Sequence, residues 1–145
     1  ARPDFTMIGV ANLEIARVYQ YLLQKQKSEF MIVHALDGYD EISLTGDTKM
    51  ISKTGEKIYS AEDLKFKNIE PESIFGGHSK EEAAKIFINI LEGKGTDEQN
   101  SVVLANATVA LLNTEKYGNF DDCLTLAKES LENGKALQRL KNIIK

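Results

Sequence analysis

The chain has 145 residues, of which 42% are hydrophobic and 28% are charged. This composition is typical of a globular protein, and the length is sufficient for one hydrophobic core, so we expect a single domain over residues 1–145. A net charge of −4 offers no basic surface to a nucleic-acid backbone or to an anionic membrane. We therefore exclude both classes of partner.

The first residues and the cysteine content indicate the compartment. The single cysteine, Cys123, cannot form an internal disulfide, and no charged-then-apolar leader precedes a cleavage site, so we expect a cytoplasmic protein. The longest apolar run, residues 102–112, is shorter than the ~20 residues needed to cross a bilayer. Because the chain opens with Ala-Arg-Pro and runs almost at once into a strand-like segment, we expect a fragment that starts in mid-domain.

The first part of the chain predicts a β-α-β unit. Residues 5–10 are short and rich in β-forming side chains, whereas residues 11–27 repeat their apolar residues with a helical period. Residues 30–33 form a second apolar run after a charged stretch. A unit of this kind usually forms a parallel strand pair with a right-handed crossover.

Turn and cap signals continue the prediction. Residues 48–52 and 57–59 flank a turn with the spacing of a hairpin, in which Gly55 supplies the positive φ. Two pairs, Ser60 with Asp63 and Ser79 with Glu82, have the spacing of amino-terminal helix caps. We therefore predict a helix after each pair, and we expect the second helix to end at Gly93.

The last third of the chain predicts three helices. Residues 100–113 are apolar nearly all the way round, which indicates a helix buried on most sides. Asp121 or Asp122 begins a further helix that stops at Gly134, and residues 136–144 form a last amphipathic helix. The fold class is therefore α/β, a mixed sheet covered by helices. Because the strands crowd into the first sixty residues, we expect the sheet to be incomplete on its amino-terminal side.

An acidic turn at residues 37–41 carries the most informative chemistry. It follows the second strand, and ligands of α/β sheets collect outside the carboxyl ends of the strands. Mg²⁺ usually binds one or two carboxylates together with substrate phosphates and waters, a demand that Asp40 and Glu41 can meet. Asp and Gly are also common turn residues for reasons unrelated to metals. From the residues alone, a metal site and a plain surface turn stay equally open.

A resemblance to a known family changes this balance. The segment VHALDGYDEIS, residues 33–43, closely resembles the metal-binding segment of anthranilate phosphoribosyltransferases. Further segments that resemble that family are residues 1–3, 7–10, 76–77, 83–84, 90–93, 103–107, 126–127 and 134–136. The resemblance is collinear over essentially the whole chain. It departs from the family at Ala35, where glycine is frequent, and at Asn100 and Ser101, where an Arg-Asp pair is common.

The resemblance implies a nucleoside phosphorylase/phosphoribosyltransferase-like catalytic domain. Its reaction would transfer the 5-phosphoribosyl group from phosphoribosyl pyrophosphate to anthranilate, a step of tryptophan biosynthesis. Asp40 and Glu41 would then bind Mg²⁺ against the leaving pyrophosphate, while Asp37 serves the turn. The family's phosphate loop and its anthranilate-binding residues lie upstream of the segment that residues 1–3 resemble. We therefore expect the isolated chain to carry the metal ligands only and to be inactive.

Two alternative functions remain. A pyrimidine nucleoside phosphorylase-like enzyme would share the architecture but would not need a metal for pyrophosphate. A stand-alone, non-catalytic binding domain would keep the fold without the chemistry. A core face exposed by truncation could also drive formation of a homodimer.

Several other residues attract attention without joining the predicted site. His34, at the end of the second strand, is a secondary candidate for supporting a carboxylate. His78 and Cys123 receive no role, although the helix start at Cys123 could lower a thiol pKa. Arg2 could hold a phosphate but is more simply a surface residue. Residues 93–96 superficially suggest a phosphate loop, but they follow a helix and lack the Walker spacing.

Overall fold

The structure is a computed structural model that describes residues 3–144, so Ala1, Arg2 and Lys145 lie outside it. Four strands form one sheet in the order β1-β2-β3-β4: β1 (Phe5–Gly9), β2 (Glu29–Ala35), β3 (Thr48–Ser52) and β4 (Gly55–Tyr59). β1 and β2 are parallel, and the other two pairings are antiparallel. The predicted β-α-β unit, the hairpin and the mixed sheet are confirmed, and Gly55 has a φ of 139°.

Five α-helices accompany the sheet within residues 3–144. They are α1 (Leu13–Leu23), α2 (Lys80–Leu91), α3 (Asp97–Leu112), α4 (Phe120–Glu132) and α5 (Lys135–Ile143). A short 3-10 helix, Pro71–Ile74, precedes α2. The fold is therefore α/β, as the sequence predicts. None of the described helices is long and apolar enough to span a membrane.

One predicted helix is wrong. Ser60 and Asp63 do form the reciprocal bonds of a cap: the amide of each donates to the side chain of the other, at 3.0 and 3.1 Å. The chain then makes only turns over residues 61–65, because Lys65 takes a left-handed backbone conformation with φ 63°. This turn buries Ala61 and Leu64 against the sheet, so tertiary packing overrides the local helix signal.

Two of the later helices begin earlier than predicted. Thr96 and Gln99 form a capping box, so α3 starts at Asp97 rather than near Asn100. Asn119, not Asp121 or Asp122, is the cap of α4. The other predicted boundaries hold: Ser79 caps the start of α2, Gly93 follows the end of α2 with φ 73°, and Gly134, with φ 68°, separates α4 from α5.

The sheet carries a hydrophobic core on each face. On one face, Val33 of β2 and Met50 of β3 pack with Ala105 and Val109 of α3. On the other, residues including Phe30, Ile32 and Ile51 pack with Ala16 and Leu23 of α1. Successive residues of β2 alternate between these cores, as the pleat of a strand requires. The central strand β2 is thus buried on both faces.

The prediction that α3 is buried on most sides is only partly correct. Ala105, Thr108 and Val109 are buried, but Val103 is 37% exposed. Its exposed side lines an apolar groove of about 530 Å³ with residues of α4 such as Leu126. α1 likewise exposes apolar side chains, among them Val18, Tyr21 and Leu22. Apolar faces are therefore available for association, and the homodimer stays a prediction.

Cys123 should be unreactive in the folded protein. It is fully buried on α4, and burial, followed by the negative charge of Asp122, raises its pKa instead of lowering it. Because the thiolate is the reactive form, we expect no labelling by a thiol-reactive disulfide reagent at pH 8 and complete labelling in urea. Native labelling at the rate of a free thiol would contradict this placement.

Candidate metal centre

The acidic turn is a compact, solvent-exposed connection after β2. The amide of Gly38 donates to the carbonyl of Ala35, and the amide of Ala35 donates to the carbonyl of Tyr39, each at 3.0 Å. Gly38 has a φ of 103°, a conformation that favours glycine. The side chains of residues 37–41 are all exposed. Local backbone bonds therefore close the turn and leave its carboxylates accessible.

The turn lies directly over the carboxyl end of β1. A Cβ added to Gly9, the last residue of β1, would stand 1.7 Å from the carbonyl oxygen of Asp40. No side chain fits in that space, so only glycine permits the contact. Since β1 and β2 are parallel, their carboxyl ends meet at the same edge of the sheet. Asp40 and Glu41 thus occupy the edge where α/β folds gather their ligands.

Asp37 organises the loop that follows the turn. Its carboxylate accepts a hydrogen bond from Ser43 Oγ at 3.1 Å and another from Thr45 Oγ1. Both hydroxyls belong to the segment that leads from the turn toward β3. The Asp37 carboxylate thus has hydrogen-bond partners within its own loop, as expected of a turn residue.

The chain enters the core immediately after the acidic pair. Ile42, Ser43 and Leu44 are buried, and Leu44 has a left-handed φ of 61°. The amide of Ile42 donates to Asn106 Oδ1 at 3.0 Å, and Asn106 Nδ2 donates to the carbonyl of Ile42 at 2.8 Å. The carbonyl of Leu44 accepts from the amide of Ile69 at 3.0 Å. The exposed carboxylates therefore precede a firmly held backbone segment.

The side chains present fit a magnesium site that substrate completes. Within residues 3–144, no group of three or more His, Cys, Asp or Glu side chains could hold a metal ion by itself. Asp40 and Glu41 could therefore offer at most two carboxylates to a metal ion whose other ligands come from elsewhere. Mg²⁺ characteristically binds in this way, with phosphate oxygens and waters as its remaining ligands. The donor set suits a magnesium–phosphate complex better than an all-protein cage.

His34 has a structural role. It is 7% exposed, and its Nδ1 lies 2.9 Å from the carbonyl oxygen of Val10. With the proton on Nδ1, the ring donates to that carbonyl and joins the end of β2 to the residue that follows β1. The secondary candidate is thus a satisfied buried histidine that braces the edge beneath the acidic turn.

The remaining candidate residues lie outside the acidic turn or outside residues 3–144. His78 is exposed, and its ring packs on Phe75 with 4.9 Å between centroids. Residues 93–96 form the connection between α2 and α3, in which Lys94 pairs with Glu92 at 2.6 Å. This confirms the predicted helix stop and loop. Arg2 lies outside the described residues.

Two residues next to the acidic turn were not predicted from the sequence to belong to the site. Gly9 permits the close approach of the Asp40 backbone, and Asn106 bonds to Ile42, the residue directly after the turn. Asn106 carried a signal, because an amide inside an otherwise apolar helix needs buried partners. The sequence did not show which backbone groups those partners would be.

Comparisons with known proteins agree with the resemblance noted above. Residues 1–137 match the family model described as "Glycosyl transferase family, a/b domain". The chain is 44% identical over 142 residues to the anthranilate phosphoribosyltransferase of Bacteroides thetaiotaomicron, covering 98% of this chain and 43% of the relative. It is 45% identical over 145 residues to that of Christiangramia forsetii, covering 100% and 44%. The chain thus spans less than half the length of these relatives.

Solved structures share the fold. Anthranilate phosphoribosyltransferase from Saccharomyces cerevisiae in complex with PRPP and Mg superposes with a TM-score of 0.82 at 24% identity, over 95% of this chain and 40% of that one. The enzyme from Thermus thermophilus gives a TM-score of 0.79 at 24% identity, over 92% and 40%. With the family model matching most of its length, the chain belongs to the glycosyl transferase family and carries that family's a/b domain.

Proposed function

We propose that this protein transfers the 5-phosphoribosyl group from phosphoribosyl pyrophosphate to anthranilate. Residues 1–145 would form one domain, the carboxyl-terminal portion of the catalytic domain, in a cytoplasmic enzyme. The names of the relatives support the reaction, and the yeast homologue of the same fold is described with PRPP and Mg. The observation that carries the proposal is the exposed Asp40–Glu41 pair over the carboxyl end of β1.

Asp40 and Glu41 would supply the protein's ligands to Mg²⁺. When bound, this ion would neutralise the negative charge that grows on the leaving pyrophosphate. The chain contributes two carboxylates on a loop whose backbone is already held by Gly9 and Asn106. Support of the backbone would reduce the reorganisation needed when the carboxylates meet the magnesium–pyrophosphate group.

The alternatives make different demands on the same turn. A phosphorylase would use inorganic phosphate and would leave the acidic pair without a pyrophosphate-bound metal. A non-catalytic domain would bind the donor without turnover. Dependence of donor binding on Mg²⁺, followed by release of pyrophosphate in the full-length protein, separates the transferase from both.

Removing the charge of the acidic pair should impair the full-length enzyme. We expect the double variant Asp40→Asn/Glu41→Gln to lower turnover by on the order of 100-fold or more, because metal stabilisation of a leaving group contributes several kcal/mol. Anthranilate consumption at increasing Mg²⁺ concentration measures the effect. The matched control is Asp97→Asn/Glu98→Gln, which neutralises another pair of consecutive acidic residues, in the first turn of α3. If the Asp40→Asn/Glu41→Gln variant were as active as the Asp97→Asn/Glu98→Gln control, the assignment of Asp40 and Glu41 as metal ligands would be refuted.

Filling the space at Gly9 should displace the turn. The new methyl group of Gly9→Ala would collide with the carbonyl of Asp40, so we expect a raised Mg²⁺ requirement and shifted amide resonances over residues 37–44. Gly76→Ala is the control, since no atom lies within 4 Å of a Cβ at that position and its φ is not positive. A Gly9→Ala protein with wild-type spectra and Mg²⁺ dependence would show that the contact does not position the turn.

The 145-residue chain alone should catalyse no transfer. It spans 43–44% of the length of the relatives described above, and catalysis depends on several groups positioned together. We expect no phosphoribosyl anthranilate after prolonged incubation with both substrates and Mg²⁺, measured beside a full-length preparation. Steady turnover by the purified chain would contradict this expectation.

A further inference from the structure

We propose that Asn106 of α3 is a positioning residue for the Asp40–Glu41 pair. The proposal rests on the function proposed above, in which the pair binds Mg²⁺. It assigns Asn106 no contact with metal or substrate. Its role is to hold the Glu41–Ile42 peptide, and thereby the direction in which the acidic side chains leave the backbone.

The side-chain amide of Asn106 is matched to the backbone of Ile42. Its Oδ1 accepts from the Ile42 amide at 3.0 Å, and its Nδ2 donates to the Ile42 carbonyl at 2.8 Å. The second proton of Nδ2 goes to the carbonyl of Val102 at 2.9 Å, one turn earlier on α3. If Oδ1 and Nδ2 were exchanged, a donor would face the amide of Ile42 and an acceptor would face each of the two carbonyls. Only one orientation of the side-chain amide therefore fits.

Burial makes these contacts necessary. Ile42 is fully buried, and no other hydrogen-bond partner of its amide or carbonyl occurs among the described residues. A buried peptide group without a partner is costly, so the two bonds from Asn106 stabilise the buried position of Ile42. The reciprocal pair therefore favours the path by which the chain enters the core at this point.

The acidic pair is consequently held on both sides. Asp40 lies against Gly9, where the backbone contact leaves no space for a side chain. Glu41 is joined to Ile42 by the peptide whose N–H group binds Asn106. The backbone of the pair thus lies between one contact from the sheet and one from a helix. Ordering this backbone before the metal binds lowers the entropic cost of binding.

Asn113, the residue that caps the carboxyl end of α3, offers a matched control. Asn113 Nδ2 donates to the carbonyl of Thr6 on β1 at 3.3 Å, and so also links α3 to another segment. Asn113→Leu removes a helix-to-backbone bond without touching the acidic turn. Asn106→Leu removes all three bonds of Asn106. Asn106→Asp keeps an acceptor for the Ile42 amide but has no donor for the carbonyls.

The first readout needs no metal. In the full-length protein without added Mg²⁺, Asn106→Leu should accelerate hydrogen exchange of the Ile42 amide by about tenfold or more, since one lost bond corresponds to about that factor. Backbone relaxation should show greater mobility over residues 38–43. Asn106→Asp should retain part of the protection, and Asn113→Leu should leave this region unchanged. Should Asn106→Leu fail to fold, Asn106→Asp carries the test.

The second readout uses the full-length protein. We expect the Asn106 variants to raise the Mg²⁺ concentration for half-maximal rate several-fold and to recover much of the rate at saturating Mg²⁺. A general loss of stability would lower the rate at every Mg²⁺ concentration, as Asn113→Leu tests. Unchanged Ile42 exchange, or an unchanged Mg²⁺ requirement beside a sensitive Asp40→Asn/Glu41→Gln variant, would overturn the proposal. If that acidic variant is fully active, the proposed function fails, while the exchange data still decide whether Asn106 holds the loop.

Discussion

The burial of residues 42–44 directly after two exposed carboxylates is the constraint on which the site depends. Once Ile42 and Leu44 enter the core, their backbone groups lose water and must find partners inside the protein. Asn106 provides them for Ile42, and the amide of Ile69 provides one for Leu44. Helix, loop and sheet are therefore joined at the base of the acidic turn.

The parallel pairing of β1 and β2 supplies the second half of the arrangement. It brings the carboxyl ends of both strands to one edge, where His34 binds the carbonyl of Val10 beneath the turn. Gly9 then lets the backbone of Asp40 approach more closely than any side chain would allow. In the proposed magnesium site, the backbone that carries the two carboxylates would be supported in this way, and phosphate oxygens would supply further ligands.

Short-range sequence patterns predicted an element correctly where neighbouring residues alone decide its structure. The β-α-β order, the hairpin at Gly55 and the cap at Ser79 follow from short-range patterns, and all are present. The pattern at Ser60 was equally good, and its cap forms, yet the chain turns at Lys65 instead of continuing as a helix. Burial of Ala61 and Leu64 against the sheet outweighed helix propensity there.

By itself, the sequence determined the α/β class and the order of the strands and α-helices, apart from the helix wrongly predicted after Ser60, because these follow from periodicity and cap spacing. It also marked the acidic turn, although the choice of a metal site over a plain turn came from the family resemblance. Only the tertiary structure decided what supports that turn. Asn106 and Thr108 are both polar residues in one apolar helix, but Thr108 bonds back to Leu104 of its own helix while Asn106 reaches Ile42. Asn106 and Ile42 are 64 positions apart in the chain, and packing alone brings them into contact.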